Sequence, residues 1–344
     1  MQKFKRYPTY PLYIETPINW SGFSYHWQQL PILRRGYFYK ENIEVGGDAP
    51  KSFIRVYEYG ECRKNKPKTW VAYVAKVGHK WYPIESITEY LMNRIGEEIG
   101  LNMAKSKLAL AGGQIRFLSR YFLKPDKNEQ LIHGAQIYAR HLEDEDFVEQ
   151  ANERKRNDIT RELFTFQFTE EAIQAIFPDH HEEIMQDFVA MILFDAIVGN
   201  NDRHFYNWGV IHDVFNETAP RFSPVYDTAR GLFWNENEEK IKAFLVSGKQ
   251  LETKLNSYVE KAKPRVGWDG ARNLSHFELV EKIFTSDRRF CDLCKNMVSE
   301  DKKRSIIRLL EEEFMYLMSA ERLDLIKRCI ALRLERLQQI IIPQ

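Results

Sequence analysis

The chain has 344 residues, 44% of them hydrophobic and 29% charged, which supplies a full apolar core and excludes a disordered or low-complexity polymer. Single cores stop growing near roughly 250–300 residues, so two lobes are expected. Fifty Lys and Arg against 49 Asp and Glu leave a formal net charge of +1. A DNA-coating protein is usually more basic, so no direct nucleic-acid binding is expected.

The N-terminal stretch MQKFKRYPTYPLYIETP has charge but no apolar run, and does not read as a signal peptide. No segment approaches the roughly 18–20 apolar residues of a membrane span. A cytoplasmic protein with no membrane partner is the expectation. Residues 1–40, rich in Tyr, Trp and Pro, read as an irregular arm with at most one short strand. Two runs of β-branched and aromatic residues, 52–59 and 70–77, flank the polar GECRKNKPKT and predict a hairpin. Ile87, Leu91, Ile95 and Ile99 then recur every fourth residue, predicting a helix over 87–99 that Gly100 ends. Runs 107–111 and 114–123 meet at Gly112 and Gly113 and predict a second hairpin.

From about residue 130 the pattern is read as helical. Ile184, Phe188, Ile192 and Ile197 place an apolar face on a helix over 182–198. Strand character returns briefly in NWGVIHD and RFSPVYD, and residues 277–342 read as several helices. The class is α+β: a small β-rich lobe over residues 1–125 and a mainly helical lobe over 126–344. Of the four cysteines, Cys291 and Cys294 form a C-x-x-C pair. No second pair completes a zinc site, so they read as reduced cysteines on a helix.

The most informative stretch is Gly199-Asn200-Asn201-Asp202-Arg203-His204-Phe205-Tyr206-Asn207, between an apolar helix and a short strand. Asp202 and Asn207 have the D-x-x-x-x-N spacing of a kinase catalytic loop, where Asp accepts a hydroxyl proton and Asn holds magnesium. Alone, this stretch also reads as a turn. Asp227 follows at the end of an apolar run and suits a second ligand, since Mg²⁺ takes oxygen donors. Upstream, Lys76 sits inside the strand WVAYVAKV, which is costly unless it meets an anion. A snorkelling edge lysine is the plainer alternative. Glu89, in the first turn of the next helix, can pair with it, but Ser86-Ile87-Thr88-Glu89 is equally a capping box. Ahead of the first hairpin, Gly46 and Gly47 in VGGDAPK allow backbone amides to approach a phosphate.

In this order, VGGDAPK, Lys76, ITEYL with Glu89, LSRYF, GNNDRHFYNW and VYD make the chain resemble the HipA-like serine/threonine kinases. The resemblance implies a bilobal protein-kinase-like fold, ATP and Mg²⁺ as cofactors, and phosphorylation of a protein on Ser or Thr. It implies Asp202 as catalytic base, Asn207 and Asp227 as metal ligands, and Lys76 with Glu89 on the nucleotide phosphates. His204 would lie near the phosphates, Ser119 and Tyr121 at the adenine, and Gly46, Gly47 and Lys51 in the phosphate-side loop. An antitoxin partner is also implied as a possibility. Where the persistence toxins carry an inhibitory loop serine, this chain has Glu44 and Gly46, neither of which accepts phosphate. Two other readings stay open: a kinase of a small molecule or lipid headgroup, and a pseudokinase or toxin–antitoxin module that binds nucleotide and docks a partner.

Overall fold

The computed structural model describes residues 30–43, 51–78, 84–111, 114–146, 164–215, 217–246, 248–271 and 273–342. Glu44, Gly46, Gly47, Gly112 and Gly113, singled out in the sequence, lie outside them.

The first lobe is an antiparallel sheet of β1 (Phe38–Lys40), β2 (Lys51–Val56), β3 (Val71–Val77), β4 (Ser106–Ala111) and β5 (Gln114–Arg120), in the order β1-β2-β3-β5-β4. Both predicted hairpins form, with strand ends within one to three residues of the predicted runs. Helix α1 (Glu85–Ile99) lies across β3, β4 and β5. The apolar stripe Ile87, Leu91, Ile95 and Ile99 is fully buried there, and Gly100 takes the left-handed conformation that stops the helix. The other side of α1 meets the C-terminal helices. Arg94 pairs with Glu313 at 2.8 Å, Lys302 donates to the Glu98 carbonyl at 2.7 Å, and Tyr90 packs on Phe314.

The second lobe differs from the sequence reading at its start. Residues Glu129–His133 are a strand, β6, which pairs with β7 (Gly209–Asp213), and β7 pairs with β8 (Arg221–Phe222). Five residues joined to the next helix without a turn give too little periodicity to separate the two states. Helices α2 (Gly134–Leu142) and α3 (Phe166–Ile176) follow, then α4 (His181–Val198). Instead of one apolar face, α4 is buried on all sides over its last two turns and forms the centre of the lobe. Around it stand α5 (Glu238–Leu245), α6 (Leu251–Lys261), α7 (His276–Ser286), α8 (Cys291–Met297), α9 (Glu300–Glu313) and α10 (Ala320–Ile341). Serine side chains cap α7, α9 and α10 at their N-termini. One apolar core runs without interruption from α1 through α4 to α10, and a smaller one lies on the face of the first sheet away from α1. Among the described residues no helix is long and apolar enough to cross a membrane.

Candidate active site

Two backbone junctions set the site. The first is a bridge between lobes: the Ala104 amide donates to the Val225 carbonyl and the Val225 amide to the Asn102 carbonyl. This short pairing, rather than the end of a longer strand, delivers Asp227 beneath the first sheet. Asp227 itself has φ +52°, a left-handed conformation that Asp tolerates better than most residues. The second junction is the end of α4, where left-handed Gly199 turns the chain into the loop carrying Asp202 and Asn207. A Cβ on Gly231 would come 2.6 Å from the Val198 carbonyl, so only glycine lets the chain after Asp227 pass over that helix end.

At the first junction two carboxylates converge on Lys76. Its ammonium, on β3, contacts the Glu89 carboxylate of α1 and lies 2.8 Å from Asp227 Oδ1. Lys76 and Glu89 are only 6% and 3% exposed. Burial alone pushes Lys76 down, but the Glu89 and Asp227 carboxylates outweigh it and hold the ammonium above its ordinary pKa. Glu89 is raised to about 7, burial overcoming the pull of Lys76. The capping-box alternative for Glu89 is excluded by geometry. The N-cap is Ile84, no side chain caps the helix, and the Glu89 carboxylate points at Lys76. Lys51 is not a loop residue: it opens β2, directly across the ladder from Lys76, and its ammonium lies 3.0 Å from Asp227 Oδ2. Each oxygen of Asp227 thus meets one lysine. Those two ammonium groups outweigh the cost of burial and hold Asp227 well below its ordinary pKa.

At the second junction the organiser is Arg203, a variable position of the sequence motif. Its buried guanidinium meets Asp195 of α4 through Nε at 2.9 Å and Nη2 at 3.0 Å. It also donates to the carbonyls of Asn207 and Tyr226 at 2.9 and 2.7 Å, and to Thr228 Oγ1 at 2.6 Å. One side chain therefore fastens α4, the Asp202 loop and the segment around Asp227 together. Asn200 adds a second strap, its Nδ2 donating to Asp195 Oδ1 at 2.8 Å. Removing one partner of a buried ion pair costs about 3–5 kcal/mol, because the other charge stays behind. Arg203→Met should therefore lower the melting temperature by many degrees; a parent-like thermal melt would show that the loop is held by other means.

Within the loop, Asn207 is buried and its Nδ2 donates to the Asp202 carbonyl at 2.9 Å, which leaves the amide oxygen for a cation. His204 accepts from the Tyr206 amide through Nδ1, and burial lowers its pKa against the pull of Asp202 and Asp227. Arg230 and Arg265, both unremarked in the sequence, bracket the Asp202 carboxylate at 3.2 Å each. Behind the loop, Arg333 of α10 donates to the Ala196 carbonyl at 2.6 Å and packs beneath Gly199. Ser119 stands in β5 opposite Val74, two residues along the ladder from the partner of Lys76. Tyr121 follows the strand, its amide donating to the Ala72 carbonyl and its ring edge-on to Phe53. Ala72 and Val74, on the Lys76 side of β3, are small and half-buried.

A small antiparallel sheet with one packed helix, joined to a helical lobe, defines a bilobal α+β fold of protein-kinase type. The fold is shared with crystal structures of known proteins. The Helicobacter pylori proinflammatory kinase CtkA superposes with a TM-score of 0.68 at 15% identity, over 89% of this chain and 97% of the other. HipA of Shewanella oneidensis, solved with HipB and operator DNA, gives a TM-score of 0.50 at 11% identity, over 88% of this chain and 66% of the other. Residues 43–302 match the model of the HipA-like C-terminal domain, and the chain belongs to that family. No curated protein sequence matches it. Family and fold together support phosphoryl transfer of the kinase type as the general class of chemistry.

Proposed function

We propose that the protein is an ATP- and Mg²⁺-dependent kinase that phosphorylates a Ser or Thr hydroxyl of a protein substrate. The observation that carries this reading is the meeting of strand Lys76, helix Glu89 and Asp227 in one cluster. In phosphoryl transfer a lysine held by a glutamate orients phosphates, and an aspartate beside it holds the metal. The chain then divides near residue 125 into a nucleotide lobe and a helical lobe that carries the catalytic loop.

The residues divide the work by chemistry. Lys76 and Lys51 exchange Asp227 for phosphate oxygens, and Glu89 keeps Lys76 aimed. Ser119 and Tyr121 border the base, and Gly46 and Gly47 supply backbone amides to the phosphates, with His204 nearby. Among the described residues no three His, Cys, Asp or Glu side chains form a self-sufficient metal site. A carboxylate and an amide oxygen, Asp227 and Asn207, nevertheless fit a hard cation completed by phosphate and water oxygens. When bound there, Mg²⁺ neutralises charge on the β- and γ-phosphates. Asp202 accepts the proton of the acceptor hydroxyl. The hydroxyl oxygen forms the new bond to the γ-phosphorus, and the bond from that phosphorus to the β–γ bridging oxygen breaks. ADP leaves with the electron pair.

The decisive experiment is incubation of the protein with a cell lysate and γ-labelled ATP, with mass spectrometry of the labelled site. Label on a protein Ser or Thr supports the reading; label on a small molecule or lipid, or none, overturns it. Lys76→Ala should weaken ATP binding, measured calorimetrically, and Glu89→Gln should weaken it less, because the amide still meets the ammonium without its charge. Unchanged ATP affinity in Lys76→Ala would remove this lysine from the nucleotide site.

A further inference from the structure

The carboxylate assigned as base is gripped from two sides. Arg265 Nη2 lies 3.2 Å from Asp202 Oδ1, and Arg230 Nε lies 3.2 Å from Asp202 Oδ2. The two arginines come from different parts of the chain. Arg230 sits three residues after Asp227, and its backbone carbonyl accepts from the Asn201 amide at 3.1 Å. Arg265 lies beyond α6 and also donates from Nε to the Asn201 carbonyl at 3.0 Å. Their guanidinium groups are thereby set around the loop by backbone, not left to wander. The Arg230 guanidinium also stands 5.5 Å from the Trp234 ring, a second restraint on its direction.

None of these side chains is sealed from solvent: Arg230, Arg265 and Asp202 are 33%, 20% and 19% exposed. In this they differ from Arg203, whose ion pair with Asp195 is buried and holds the frame. An acceptor hydroxyl that reaches Asp202 must therefore arrive beside both guanidinium groups. A neutral acceptor segment has to share Asp202 with them. An anionic side chain next to the acceptor can take a guanidinium in its planar, two-pronged geometry and leave the Asp202 oxygen turned toward the hydroxyl.

We propose that Arg230 and Arg265 form a subsite for an anionic side chain flanking the acceptor residue, so that the preferred substrate is a Ser or Thr beside Asp, Glu or a phosphorylated residue. The inference rests on the kinase reading and deepens it by naming the acceptor's neighbourhood. Arg230 and Arg265 are then specificity residues. They exchange partner from Asp202 to the substrate as it docks.

The test is a positional-scanning peptide library with a fixed Ser or Thr, labelled ATP, and Asp, Glu, phosphoserine, Asn and Lys at each flanking position. The parent should favour at least one anionic residue about tenfold at one or more positions, the selectivity that roughly one charged hydrogen bond supplies. A preference for phosphoserine over Asp and Glu identifies a phosphorylated neighbour; equal preference identifies charge alone. In Arg265→Met and Arg230→Met the ratio between acidic and neutral peptides should fall toward one, chiefly through KM, and Arg265→Glu should shift the preference to Lys. Parent enzyme that labels neutral and acidic peptides equally overturns the subsite and leaves the kinase reading standing. Arginine variants that slow every peptide equally through kcat also overturn it, because the guanidinium groups would then serve the transferring phosphoryl group. If the parent labels no peptide and no lysate protein, both readings fall. Thermal melts of the variants verify that they fold, and the parent's preference judges the subsite even where one does not.

Discussion

Asp202→Asn should still bind ATP and Mg²⁺ but transfer phosphate about 10²–10⁴-fold more slowly, the usual contribution of a positioned acid or base. The substitution keeps size and most hydrogen bonds, so Arg230 and Arg265 lose a charge partner but not a neighbour. The loop itself hangs on Arg203, Asn200 and the Asn207 amide, none of which uses the Asp202 carboxylate. A structural effect should therefore be small, and a thermal melt read beside the single-turnover rate separates the two. Were Asp202 merely a turn residue, Asn would replace it without loss, since both suit turns. Parent-like turnover in this variant would remove the base from the mechanism.

The second large effect is expected at Asp227. Asp227→Ala should abolish Mg²⁺-dependent turnover, leaving one protein ligand where the site needs two. It should also alter the unliganded protein, because Lys51 and Lys76 would face each other with no carboxylate between them. Asp227→Asn separates the charge from the shape and gives the pH test. Asp227 is held below its ordinary value of 3.8, so its stabilising contribution is complete above that value. It is lost progressively as pH falls from there toward the folded-state pKa. Acid melts of the parent should steepen below about pH 4 relative to Asp227→Asn, while the two curves run parallel at neutral pH. Curves parallel throughout would mean that neither lysine acts on this carboxylate.

The two hairpins and the helix of the small lobe were legible from local composition and spacing. SFIRV and VAYVAKV carry β-branched or aromatic residues at more than half of their positions, and the α1 stripe repeats every fourth residue. Strand β6 was missed because EQLIH runs straight into a helix, and its partner β7 is about eighty residues away, a distance that no local pattern encodes. At the site, Lys76 stood out by its cost, since a lysine inside an apolar strand demands an anion, and the carboxylate it meets is Glu89, which the sequence left open as a capping residue. The same reasoning applied to MILFDAIV would have flagged Asp195, the lone charge in that apolar run, and with it a buried partner such as Arg203. Arg230 and Arg265 carried no such signal, because an arginine in a polar loop is ordinary until tertiary structure places it on a carboxylate. Lys51 was read as part of the glycine loop; only the ladder register with Lys76 shows that it reaches Asp227.

The ties between α1 and α9 hold one part of the small lobe directly and the rest through the sheet. Arg94, Lys302 and Tyr90 fasten α1 to the helical lobe, and the bridge from Met103 to Val225 fastens the chain just beyond it. Glu89 rides on that helix, and β3, β4 and β5 lie against it. Strands β1 and β2 extend the sheet beyond β3, and β2 pairs with β3 along its whole length, with Lys51 opposite Lys76. Lys51 reaches Asp227 through the β2–β3 ladder, whereas Lys76 and Glu89 sit on elements that pack against each other directly. The lysine–glutamate pair is thus tied into the same framework as the large lobe, and Lys51 is joined to it at one remove.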